Sequence, residues 1–223
     1  MELHFHREME RLKQRILALS AEVERSLDLA EHAVVEQDVE SAKRVIAGDK
    51  TIDQHEVDVE EECLKILALY RPVATDLRMV ISILKINSDL ERVGDLCRNI
   101  GEYILEISKH EPIAMSSHFH TMFRETHGMI HDAIDSLVNG NAEHADSVCR
   151  NDYVVDQLNV TIIREIQEQI VLTPNKVKPL LYVLSISRSV ERIADYATNI
   201  AEDVVYMVQG VIVRHHLDKK NYA

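Results

Sequence analysis

The sequence predicts an all-α protein of six long helices, built as two tandem three-helix bundles that arose by internal duplication. Three observations carry this. The chain of 223 residues has only 6 Gly, 4 Pro and 4% aromatics, too few turn residues for a β-sandwich or barrel. Apolar residues recur at spacings of three and four over long stretches, the signature of one buried helix face. The second half of the chain also echoes the first at a nearly fixed offset. No strand is expected, and the two bundles should be related by a pseudo-twofold.

The helices are read at 5–37, 39–70, 74–108, 116–138, 142–171 and 176–209. Asp38 suits an N-cap before the second helix, and Pro72 follows its end. Pro112 marks the middle of the chain, so the bundles are placed at residues 1–110 and 111–223. Asn139-Gly140-Asn141 makes a turn, and Thr173-Pro174-Asn175 opens the last helix, whose first turn tolerates Pro179. Along the third helix the apolar stripe runs Met79, Ile83, Ile86, Leu90, Val93, Cys97, Ile100, Ile104 and Ile107. The sixth repeats it at Val183, Ile186, Val190, Ile193, Ala197, Ile200, Val204 and Met207, at an offset of 100. One helix earlier, Asp49, Asp53 and Gln54 match Asp152, Asp156 and Gln157 at an offset of 103.

Composition excludes several function classes. Apolar residues are 46% and charged residues 28%, which describes a globular chain and not a disordered one. A formal net charge of −13 leaves no basic excess for neutralising phosphates, so no nucleic-acid partner is expected. The longest nearly apolar stretch, Val204 to Val213, is broken by Gln209 and too short to span a bilayer, so no membrane insertion is expected. No basic-then-apolar leader opens the chain, where His4, His6 and Glu8 stand. Cys63, Cys97 and Cys149 lack metal or redox spacing and suit a reducing cytoplasm as small packed residues.

The chemistry lies in the polar residues that repeat. Asp49 and Asp53 share one helix face, as do Glu91 and Asp95 on the next helix. Helices joined by a short loop run antiparallel, so residues equidistant from the turn lie at one height. Asp49 with Asp95, and Asp53 with Glu91, are each centred on Pro72. Asp152 with Asp195, and Asp156 with Glu191, are centred between Thr173 and Pro174. Each hairpin therefore carries four carboxylates at two matched levels. Such quartets repel unless protonated or bridged by cations, and oxygen donors favour hard metals such as Mg²⁺, Mn²⁺ or iron. The carboxylates lie at the edge of the apolar stripe, on a wet groove, with Asn99, Glu102, Asn199 and Glu202 further along the same flank.

Blander readings stand beside this one. An acidic i,i+4 pair is ordinarily a solvated helix face, and Arg92, Arg192 and Lys50 are available to pair with these acids without any metal. Glu24 and Asp28 fall at the level of Asp53 and Asp49, with His127 and His131 as counterparts in the second unit, but surface positions suit them better than ligand roles. His4, His6, His118 and His120 sit near segment ends, and Glu60-Glu61-Glu62 reads as a helix face. No phosphate-cradling Gly-rich loop or nucleophile elbow is present. The Glu-x-x-His pattern of ferritin-like di-iron sites is absent too. A metal-dependent hydrolase or oxidase, or a structural or metal-storing bundle, are the readings in competition.

At these residues the chain resembles the PhoU family of phosphate-signalling regulators, over roughly residues 5–210. The resemblance rests on Leu90-Glu91-Arg92-Val93-Gly94-Asp95 and Val190-Glu191-Arg192-Ile193-Ala194-Asp195, and on the turn segment from Arg71 to Arg78. It implies tandem three-helix bundles whose Glu/Asp-x-x-x-Asp motifs hold metals in several members. The matching positions are Asp49, Asp53, Glu91 and Asp95, then Asp152, Asp156, Glu191 and Asp195, all acidic here. The ions implied are divalent or trivalent: Mg, Mn, Fe or Zn. The chain departs from the family in a shorter fourth helix and an undiagnostic tail after Met207. The resemblance further implies a cytoplasmic, non-enzymatic regulator of phosphate uptake that restrains the phosphate-starvation response. Its partners would be the ATPase subunit of a phosphate ABC transporter and a phosphate-sensing histidine kinase. A homodimer is expected as common for such bundles, although no stripe marks its interface.

Overall fold

The computed structural model describes residues 2–212; Met1 and residues 213–223, with Val213 and most of the tail after Met207, lie outside the described residues. Helix α1 spans Glu2–Val35, α2 Val39–Tyr70, α3 Ala74–Ile107, α4 His118–Asn139, α5 Ala142–Leu172 and α6 Val177–Gln209. A 3₁₀ turn at Pro174–Lys176 leads into α6. No strand occurs among the described residues.

The breaks follow from local chemistry. Asp38 is extended and accepts hydrogen bonds from the N–H groups of Glu40 and Ser41, capping α2. Asn141 does the same for α5, through Glu143 and His144. Between α4 and α5, Gly140 takes the left-handed conformation at φ 59°, which a side chain resists. Arg71 ends α2 in the same region, and the linker of Arg71, Pro72 and Val73 is short enough to force α3 back along α2.

Each unit is a three-helix bundle: α1 packs on α2 and α3, and α4 packs on α5 and α6. The predicted stripes form the core. Ile83, Ile86, Leu90, Val93, Cys97, Ile100 and Ile104 of α3 are buried, as are their counterparts from Val183 to Val204 on α6. Phe119 and Phe123 are the largest fully buried side chains, each worth about 1.5–3 kcal/mol. One expectation fails here. Glu60 and Glu61 are exposed, but Glu62 is buried against α1, where Lys65 ties it to buried Glu8 (Nζ to Oε at 2.9 and 2.6 Å). Arg15 reaches Glu62 from α1 at 3.5 Å.

The two units meet where α3 packs on α6 and α1 packs on α4. Ser82 Oγ donates to the Asp203 carbonyl at 3.2 Å, and the rings of Tyr103 and Tyr182 stack with centroids 6.0 Å apart. The offset of 100 carries Ser82 onto Tyr182 and Tyr103 onto Asp203, so these two contacts are pseudo-twofold mates. On the other seam His131 meets Glu24 at 3.0 Å and His127 meets Asp28 at 3.3 Å. The offset of 103 exchanges those two pairs as well.

Candidate metal grooves

The quartets depend on the register of α2 against α3 and of α5 against α6. In the first hairpin Cys63 Sγ faces the Val80 carbonyl at 3.9 Å, and Asn87 Nδ2 donates to the Glu56 carbonyl at 3.0 Å. In the second, Cys149 Sγ faces the Thr198 carbonyl at 4.0 Å, and Ser187 Oγ donates to Asn159 Oδ1 at 2.7 Å. These contacts hold the helices antiparallel about their turns. Helices α2 and α3 also approach closely, because a Cβ on Gly101 would stand 2.9 Å from the Ala42 carbonyl oxygen. One side chain position from Asp95, Gly94 gives the same freedom to Ile52.

In the first groove Asp49 is 8% exposed, Glu91 and Asp95 are half-buried, and Asp53 is open to solvent. Arg98 lies across it: its guanidinium reaches Asp95 Oδ1 at 2.9 Å and Asp49 Oδ2 at 3.4 Å. Burial raises the Asp49 carboxyl above its ordinary value. Arg98 opposes that rise, while Asp53, Asp95 and Glu102 add to it. Glu91 is raised by burial first and then by Asp95, with smaller contributions from Asp53 and Glu56.

The second groove lacks such a bridge. The residue equivalent to Arg98 is Thr198, whose hydroxyl turns back to the Asp195 carbonyl at 2.7 Å. Half-buried Asp152 is pushed up to about 7 by burial and then by the charges of Asp156, Asp195 and Glu191. Glu191 and Asp195 are raised too, chiefly by burial, with Arg192 pulling each of them back. All four carboxylates of this groove thus act on one another.

The donor chemistry suits a hard cation: the grooves offer oxygen ligands and an excess of negative charge. Among the described residues no three His, Cys, Asp or Glu side chains converge on one point.

Other expectations fare differently. The ion pair in the first groove comes from Arg98, which sequence reasoning missed, while Arg92 and Arg192 act on Glu91 and Glu191 through their fields. Glu24 and Asp28 turn away from α2 and face α4, where they hold His131 and His127. His118 pairs with Glu165 at 3.0 Å and His120 with Glu31 at 2.8 Å. Asn99 and Asn199 are half-buried on the flank of each groove. Two further residues belong to the first groove, Glu56 and Asn87. Their spacing is the available signal: Glu56 follows Asp53 by three, and Asn87 precedes Glu91 by four.

Comparison with known proteins addresses the chain as a whole. The PhoU domain model matches twice, over residues 16–104 and 119–204. The chain belongs to the PhoU family. A relative from Aquifex aeolicus (strain VF5), named phosphate-specific transport system accessory protein PhoU homolog, is 36% identical over 215 residues, covering 96% of this chain and 97% of that one. The phosphate-specific transport system accessory protein PhoU of Escherichia coli (strain K12) is 34% identical over 213 residues, 95% of this chain and 88% of its own. Among solved structures, PhoU from Pseudomonas aeruginosa superposes with a TM-score of 0.88 at 33% identity, covering 93% of this chain and all (100%) of that one. The phosphate transport system regulatory protein PhoU from Streptococcus pneumoniae gives 0.86 at 32% identity, covering 94% and 99%. The PhoU architecture therefore spans both units, and no helix among the described residues is long and apolar enough to cross a membrane.

Proposed function

We propose that this protein is an accessory regulator of a phosphate transport system, limiting phosphate uptake and restraining the phosphate-starvation response when phosphate is plentiful. The observation that supports this most is the match to PhoU accessory proteins along nearly the whole chain, both repeats included. In this reading it is a non-enzymatic adaptor at the cytoplasmic surface, contacting the ATPase subunit of a phosphate ABC transporter and a sensor histidine kinase, and it acts as a homodimer.

The acid quartets are its metal-binding grooves. Asp49, Asp53, Glu91 and Asp95 serve one unit, and Asp152, Asp156, Glu191 and Asp195 the other, for Mg, Mn, Fe or Zn ions. A bound ion supplies positive charge that offsets carboxylate repulsion and fixes the facing helices. The carboxylates position and hold it, and the close α2–α3 approach at Gly101 keeps their spacing rigid. The test is a gene deletion complemented with wild type or with the double change Asp95→Asn and Asp195→Asn. Deletion should leave starvation genes expressed in phosphate-rich medium and raise uptake, and wild type should restore silence. Unchanged uptake and unchanged gene expression on deletion would overturn the regulatory reading. Equal metal content in purified wild type and double variant would overturn the grooves.

A further inference from the structure

The two grooves share a scaffold but not a lining. In the first, the level of Asp49 and Asp95 already holds a cation, since Arg98 reaches both carboxylates at 3.4 and 2.9 Å. A guanidinium so placed neutralises part of their charge and stands where an ion bridging them would sit. In the second groove that place belongs to Thr198, which has no charge to offer.

About three turns along α3 from Arg98 the first groove carries an unsatisfied group. Asn87 is 1% exposed. Its amide is fixed in the α2–α3 groove because Nδ2 donates to both the Glu56 carbonyl (3.0 Å) and Glu56 Oε1 (3.2 Å). That leaves Asn87 Oδ1 buried with no hydrogen-bond partner. A buried acceptor left without a partner is costly and calls for a donor or a cation. Three carboxylates stand at this end: Asp53 and Glu56, three apart on α2, and Glu91 on α3, four residues from Asn87 and level with Asp53 across the hairpin. The second unit has no equivalent. There Asn159 replaces Glu56 and Ser187 replaces Asn87, and the Ser187 hydroxyl donates directly to Asn159 Oδ1 at 2.7 Å. The orphan and the extra carboxylate occur together, and in one groove.

We propose that the first groove takes a hard divalent cation on Asp53, Glu56 and Glu91 with Asn87 Oδ1 as a neutral oxygen ligand, while Arg98 serves as the built-in cation of Asp49 and Asp95. This rests on the reading of the grooves as metal-binding and narrows it in the first groove, where the ion is held at the Asp53–Glu91 level of the quartet and Asp49 and Asp95 are held by Arg98. The second groove, without an arginine across it, keeps its ion among Asp152, Asp156, Glu191 and Asp195. The two sites therefore differ in composition and in affinity.

The full-length protein with its second groove disabled by Asp156→Asn and Asp195→Asn is the parent for the test. Metal-free parent is titrated with Mn²⁺ by calorimetry and by the loss of the free-ion electron paramagnetic resonance signal. Glu56→Gln, and separately Asn87→Ser, should each weaken Mn²⁺ binding at least about tenfold. Asn87→Ser copies the residue that the second unit already accommodates, and Glu56→Gln keeps the acceptor for Asn87 Nδ2, so both should fold. The Mn²⁺-induced rise in melting temperature, read on the same samples, should shrink in step. If the parent binds Mn²⁺ and both variants bind it equally well, the ion lies elsewhere in the groove and this assignment is wrong, while the metal reading survives. If neither wild type nor parent binds Mn²⁺, the metal reading and this assignment fall together.

Discussion

Replacing Asp152 by Asn should stabilise the metal-free protein at neutral and alkaline pH. The carboxyl stands at about 7 in the folded chain against an ordinary value of 3.8, raised by burial and by Asp156, Asp195 and Glu191. At 1.36 kcal/mol per pH unit that gap corresponds to ~4 kcal/mol. Asp152 is only half-buried, and water screens such a site, so the effect on stability is on the order of 1–2 kcal/mol. The sign follows from proton linkage. A folded-state value above the unfolded one means that the folded chain binds the proton more tightly. Its contribution is therefore fully present below about pH 4, and it is lost as pH rises from there through 7. Asp152→Asn removes the loss. In urea unfolding with a chelator, the variant and wild type should coincide near pH 4 and diverge toward pH 8, the variant being higher. In melting temperature this is roughly 2–8 °C for a chain of this size. Added Mn²⁺ should reverse the order, since wild type gains about 2.7 kcal/mol at 100 times its dissociation constant and the variant gains less. Parallel curves across the pH range, or a variant less stable at pH 8 in chelator, would refute the reasoning.

Gly101→Ala should destabilise the fold by about 1–3 kcal/mol although alanine is the better helix former, because its Cβ must push the Ala42 carbonyl of α2 away from 2.9 Å; urea unfolding no worse than wild type would contradict this. Lys65→Met should shift acid unfolding, followed by far-UV circular dichroism, to higher pH. The Lys65 hydrogen bond holds Glu8 down at about 2, so that stability persists above the ordinary carboxyl range and is lost only as pH falls toward 2. An unchanged acid midpoint would show that the buried Glu8–Lys65–Glu62 cluster does not fasten α1 to α2.

The helices were legible because each one advertises a buried face and a chemical stop. The stripe from Met79 to Ile107 and its copy on α6 could satisfy water exclusion only as helices, and Asp38, Pro72 and Gly140 mark breaks that the backbone obeys. The pairing of Asp49 with Asp95 and of Asp152 with Asp195 was legible too, since equidistance from a tight turn sets height along a hairpin. Height is not azimuth, however. Glu24 and Asp28 read as surface positions at the height of Asp53 and Asp49, because position along α1 says nothing of which helix the side chain turns toward; Asp28 is exposed, and both carboxylates pair with histidines of α4. Arg98 was missed for a related reason: an arginine three residues past an aspartate reads as a solvated surface pair, and only packing shows that it also reaches Asp49 on α2. Glu56 and Asn87 escaped because a search guided by the repeat finds what the two units share, and the second unit carries Asn159 and Ser187 there.

Differences between the units also explain how they stay together. Around a twofold, each residue on one partner faces the counterpart of its neighbour on the other. Had the second unit kept acids where the first has Glu24 and Asp28, four carboxylates would have crowded the α1–α4 seam, each opposed by a like charge. His127 and His131 stand there instead, and both carboxylates find an imidazole within 3.3 Å. On the α3–α6 side the equivalent mates are Ser82 with Asp203 and Tyr103 with Tyr182, one a polar contact and the other a ring stack. A duplicated chain can be complementary to itself in ways that two identical copies cannot, because each half of a symmetric contact varies freely. The same freedom applies in the grooves, where one unit carries an arginine and an amide and the other a threonine and a serine. The apolar stripes stayed alike because both cores need the same volume filled. The acid quartets stayed alike as well, and the two units parted in the polar residues around them: Arg98 against Thr198, Glu56 against Asn159 and Asn87 against Ser187.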